Sequence, residues 1–125
     1  MPSDFEAVFT ALKGILAKRA NKLRVKNDKP AQYTLLTKSP SPFPQHKGQP
    51  MWFGEVKIGK AYVSLHLLPI YMNPALQAAI SPALKKRMQG LACFNFKNQP
   101  DAEQLADLDR LIQAALKDWA GKNYL

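Results

Sequence analysis

The sequence predicts an α+β domain, an antiparallel β-sheet of about five strands with N- and C-terminal helices packed on one face. Three observations predict it. Apolar residues recur at helical spacing at both ends of the chain, over residues 5–16 and 105–119. Between them lie alternating apolar and polar runs bounded by turn residues, which is the pattern of strands. The connections are short, and short connections favour antiparallel neighbours. At 125 residues the chain makes a single domain, 1–125, large enough to bury a core and too short for two.

The first helix opens on Ser3-Asp4-Phe5-Glu6, a capping box in which the serine oxygen accepts an amide and Glu6 reaches back. Phe5, Val8, Phe9, Leu12, Ile15 and Leu16 form its apolar stripe, and it should end near Asn21. Residues 23–28 and 32–37, "LRVKND" and "QYTLLT", read as two strands around a Lys29-Pro30 turn. The segment "KSPSPFPQHKGQP", 38–50, holds four prolines and a glycine, so it reads as an exposed loop.

"MWFGEVKIGKAYVSLHLL", 51–68, reads as a hairpin with a two-residue type II′ turn at Gly59-Lys60. That register pairs Ile58 with Ala61, Val56 with Val63, Gly54 with Leu65 and Trp52 with Leu67, all on one core face. Met51, Phe53, Glu55, Lys57, Tyr62, Ser64, His66 and Leu68 then share the opposite, mixed face. "NPAL" (73–76) and "SPAL" (81–84) each place a capping side chain before a proline, starting two short helices, the second ending at Gly90. Residues 92–97 return to a strand in which Phe94 and Phe96 take the core face, sending Cys93, Asn95 and Lys97 to the mixed face. The last helix begins at Asp101, capped with Gln104, and runs Leu105, Leu108, Leu111, Ile112, Ala115, Leu116 and Trp119 along one side.

Composition narrows the function classes. Apolar content of 46% excludes disorder of the whole chain. No apolar run is long enough to span a bilayer, and "MPSDFEAVF" lacks the apolar stretch of a secretory signal. Cys93 has no second cysteine to pair with. These features predict a soluble cytoplasmic protein, monomer or homodimer, without a membrane role. The net charge of +9 favours anionic partners: nucleic acid, phosphorylated ligands or acidic proteins.

The stretches "FGEVKIGKAYVSLHLLPIY" (53–71) and "ISPALKKRMQGLACFNFK" (80–97) resemble the YdhG-like family of small bacterial proteins, largely of unknown function. The resemblance implies an antiparallel sheet with helices on one side, similar to frataxin in outline, and iron as a cargo of part of the family. The residues themselves point away from iron. Hard iron sites use clustered carboxylates, and the nine Asp and Glu here are scattered.

No complete catalytic or metal-binding signature is present. Cys93 and His66 on one face make a Cys/His-dependent enzyme one reading, although no cysteine-hydrolase motif surrounds Cys93. A zinc site would need more than His66, His46 and one cysteine. Lys18, Arg19, Lys22, Arg24, Lys26 and Lys29 form a basic cluster suited to a nucleic-acid backbone, without a nucleic-acid motif around it. The leading expectation is a non-enzymatic binding or carrier protein for a small-molecule or anionic ligand. Its pocket on the open sheet face would comprise Phe53, Glu55, Tyr62, Ser64, His66, Cys93 and Asn95, with Tyr71 and Arg87 at the rim.

Overall fold

The computed structural model of the chain describes residues 2–90 and 93–124, with the side chains of residues 2–4 and 22 outside the description. The expected Ser3 capping contact and the strand residue Ala92 therefore lie outside the described residues. Along the chain run α1 (Pro2–Ala17), a 3-10 turn (Ala20–Lys22), β1 (Leu23–Lys29), β2 (Gln32–Pro40), a second 3-10 turn (Pro44–His46) and β3 (Pro50–Ile58). Then follow β4 (Val63–Leu67), α2 (Leu68–Met72), α3 (Pro74–Ala78), α4 (Pro82–Lys85), β5 (Met88–Gln89), β6 (Cys93–Phe96) and α5 (Ala102–Gly121).

The described strands form one sheet in the order β1-β2-β3-β4-β6-β5, each antiparallel to its neighbour. The α+β class, the antiparallel sheet and the terminal helices are thus as expected. A sixth strand is added. Met88 and Gln89, expected in a helix ending at Gly90, instead pair with Phe94 and Cys93. Gly90 takes φ +74°, a backbone that favours glycine and lets the chain reverse there.

The helices cover one side of the sheet. Val8, Leu12 and Leu16 of α1 are fully buried, and this helix lies on β3 and β4. The α5 helix packs against α1 and the three short helices, burying Leu108, Leu111, Ile112, Ala115 and Trp119. Its Asp101–Gln104 capping box forms in both directions, as the sequence predicts. Asn73 and Ser81 likewise cap α3 and α4, with proline at the start of each helix. Strand β4 alternates cleanly: Val63, Leu65 and Leu67 are buried under the helices, while Ser64 and His66 are half-buried on the other face.

Two expectations about the hairpin need correction. The loop between β3 and β4 holds four residues, 59–62, and pairs Ile58 with Val63, Val56 with Leu65 and Gly54 with Leu67. Gly59 does not take the positive φ of a type II′ turn. Its N–H donates to the Tyr62 carbonyl at 2.9 Å, closing the wider loop. Because four is also even, the faces of β4 are unchanged.

The second correction lies in β3. Leu35 pairs with Gly54 but Leu36 pairs with Trp52, so Phe53 is an extra residue and the strand bulges. Before the bulge the parity is reversed. Met51 and Phe53 are buried, Phe53 edge-on to Trp119 at 5.5 Å, and Trp52 comes to the open face. Gly54 makes the bulge feasible: a Cβ there would stand 3.0 Å from Leu67 Cδ2 and 3.1 Å from the His66 carbonyl oxygen. The proline-rich segment is largely exposed over residues 42–49, as expected, and carries the second 3-10 turn. Its ends extend β2 and β3, with Pro40 paired to Pro50, and Ser41 Oγ and His46 Nδ1 lie 2.6 Å apart across its middle.

Candidate functional site on the open sheet face

The antiparallel register sets one polar residue from each of five strands into a single row. Asn27 is paired with Thr34, Thr34 with Glu55, Glu55 with His66, and His66 with Cys93. Gln89 of β5 continues the row beyond Cys93. Because partners directly opposite point to the same face, this row crosses the side that the helices leave uncovered.

At one end the row is locked by hydrogen bonds. Thr34 Oγ1 and Gln32 Nε2 both donate to Glu55 Oε2, at 2.7 and 2.8 Å, and Asn27 Nδ2 donates to Thr34 Oγ1 at 3.2 Å. Thr34 is almost wholly buried. Its hydroxyl donates one hydrogen bond and accepts one, so this buried polar group is satisfied. The carboxylate therefore stands in a fixed position beside His66.

His66 carries the aromatic part of the site. The Trp52 indole meets its ring edge-on, with centroids 4.9 Å apart. Burial pushes the imidazole pKa below its ordinary 6.5, and the Glu55 charge acts in the opposite direction without reversing the result. At neutral pH the ring is uncharged, with one nitrogen donating and the other accepting.

At the other end Cys93 is half-buried, and burial pushes its thiol pKa up. The thiol donates to Asn95 Oδ1 at 3.5 Å, Asn95 Nδ2 donates to Gln89 Oε1 at 2.9 Å, and the Tyr62 hydroxyl donates to the same oxygen at 3.5 Å. Burial thus favours the protonated thiol at Cys93.

The structure thus brings together Glu55, Tyr62, Ser64, His66, Cys93 and Asn95, with Arg87 beside Tyr62 and Asn95 in one concavity. Phe53 is not among them, since it lies in the core against Trp119. Trp52 takes the place expected of Phe53. Tyr71 is exposed on α2, within the helical layer. A glycine inside a strand pattern is a signal for a bulge, and Gly54 was the one clue in the sequence that Trp52 and Phe53 exchange sides.

Arg19 binds both carboxylate oxygens of Asp109 at 3.1–3.3 Å, with Lys18 at 3.9 Å from the same group. Lys29 lines a separate concavity with Glu6, Lys13 and Asp28. Arg24 and Lys26 are exposed on the edge strand β1, and the Lys22 side chain lies outside the described ones. Among the described residues no three His, Cys, Asp or Glu side chains gather to hold a metal ion, and no helix is long and apolar enough to cross a membrane. No family model matches the chain, and no curated protein or solved structure matches it either.

Proposed function

We propose that the protein is a non-enzymatic binding or carrier protein of the cytoplasm that holds a small ligand on its open sheet face. The observation that carries this reading is the row from Thr34 to Cys93, where a fixed carboxylate, a neutral imidazole and an indole converge on an uncovered surface. Small-ligand sites combine an apolar wall with a few placed polar groups, and Trp52 with Glu55 and His66 supplies that combination. Kinship with YdhG-like proteins belongs to the same proposal and rests on residues 53–71 and 80–97. Iron as cargo gains no support from the scattered carboxylates. The nucleic-acid reading is weakened by the engagement of Lys18 and Arg19 with Asp109. A lone unpaired cysteine suits a reducing compartment.

Native mass spectrometry of the full chain as purified from its own host tests the reading. A bound small molecule is expected, and it should be lost from Trp52→Ala and His66→Ala while both variants stay folded. An adduct retained by both folded variants would place the ligand elsewhere.

A further inference from the structure

Next to the Cys93 end of the row, the sheet edge and the segment after α4 border an open concavity of about 370 Å³. Tyr62, Lys86, Arg87, Gln89, Asn95 and Lys97 line it. Its charge is one-sided, with three cations and no carboxylate among the lining residues. The ion pairs among the described residues engage Lys13, Lys18, Arg19, Arg110 and Lys122, and none of these three cations. Like charges gathered without a counter-charge create a local positive potential that attracts an anion.

The neutral groups are turned to suit one. Gln89 Oε1 already accepts from Asn95 and Tyr62, so Gln89 has only its Nε2–H donors left to offer. The Arg87 backbone is held on both sides, its N–H donating to the Leu84 carbonyl at 2.9 Å and its carbonyl accepting from Asn95 N–H at 2.7 Å. Its guanidinium stands 5.9 Å from the Phe96 ring centroid. A planar fork steadied in this way suits a tetrahedral oxyanion, which it can bind through two parallel hydrogen bonds.

We infer that this concavity is a phosphoryl-binding subsite, with Lys86, Arg87 and Lys97 neutralising the group and Gln89 donating to it. The identity of the ligand's other end rests on the open-face reading. Gln89 pairs with Cys93 and Cys93 with His66, so the subsite and the imidazole are two strand spacings apart, about 10 Å. A phosphorylated ring compound of nucleotide size spans that distance, its ring against Trp52 and its phosphate in the concavity.

The test titrates the isotope-labelled full chain at low salt with pyrophosphate, adenosine and adenosine diphosphate, read by NMR. Pyrophosphate should shift the side-chain amides of Gln89 and Asn95. The double variant Arg87→Gln/Lys97→Gln, at two exposed positions, should weaken pyrophosphate binding about tenfold or more while other resonances stay in place. Adenosine diphosphate should bind more tightly than either part and shift the Trp52 indole as well. Amides unmoved by pyrophosphate, or equal binding by the double variant, would overturn the subsite. If adenosine still shifts Trp52 in that case, the open-face reading survives the failure. Pyrophosphate binding with Trp52 silent toward both adenosine and adenosine diphosphate would instead sink the open-face reading and leave the subsite standing. A single-stranded oligonucleotide that binds far more tightly than the diphosphate, with a steep salt slope, would overturn the small-ligand assignment.

Discussion

Phe53→Ala and Trp52→Ala form a pair that tests the β3 bulge directly. Phe53 is fully buried and meets Trp119 edge-on at 5.5 Å, whereas Trp52 is half-buried on the open face. A buried aromatic side chain removes roughly 150–250 Å² from water, worth roughly 4–6 kcal/mol at about 25 cal/mol per Å². A compact unfolded state lowers that figure, so Phe53→Ala should cost about 3–5 kcal/mol. Trp52→Ala loses about half such an area at a site that solvent can refill, about 1–2 kcal/mol. For a domain of this size each kcal/mol moves Tm by about 4 °C, giving drops of roughly 12–20 °C and 4–8 °C. Urea denaturation followed by far-ultraviolet circular dichroism reads both values independently of the tryptophan removed. A larger loss for Trp52→Ala than for Phe53→Ala would refute the bulge and restore uninterrupted alternation through β3.

Four further outcomes follow from the same contacts. Gly54→Ala forces a Cβ to within 3.0 Å of Leu67 and 3.1 Å of the His66 carbonyl, and should lower urea stability by about 1–3 kcal/mol; an unchanged midpoint would count against the close approach. The His66 imidazole should titrate below 6.5 by NMR, and Glu55→Gln should lower it further by removing the charge that favours the cation. Because the unfolded histidine takes up its proton first, this contribution to stability is complete above the ordinary histidine range and is lost as pH falls towards the folded pKa; a His66 midpoint above 6.5 would reverse the sign. Cys93 should be alkylated more slowly in the native protein at neutral pH than in the urea-unfolded chain, and equal rates would disprove its protection. Arg19→Gln should cost about 1 kcal/mol and show strong coupling to Asp109→Asn in a double-mutant cycle, with additive losses arguing that the two-oxygen contact contributes nothing.

Much of this fold is written in local patterns. The stripes of α1 and α5, the caps at Asn73, Ser81 and Asp101, and the alternation of Val63 to Leu67 each depend on residues within a few positions of one another. What escaped the sequence depends on distant partners. The bulge at Phe53 is stabilised by Trp119, more than sixty positions away, and alternation cannot register such a contact. Strand β5 has only two residues, too few for any period, and exists because β6 offers it an edge. The basic cluster reads as one patch along the chain, and the Asp109 carboxylate that α5 brings to Arg19 lies far from it in sequence.

The candidate site was legible as far as parity reached. Glu55, Ser64 and His66 follow from alternation counted outwards from the hairpin, and an error of two residues in the register left each on its face, while Cys93 and Asn95 follow from the parity of Phe94 and Phe96. An error of one would have exchanged the faces, and that is what the bulge does within β3 alone. In one step it sends Phe53 into the core and delivers Trp52 to His66. The core packing and the aromatic wall of the site are therefore coupled through Gly54, whose missing side chain lets β4 come close. A substitution that straightens β3 should consequently damage stability and ligand binding together, whereas one confined to His66 should separate them.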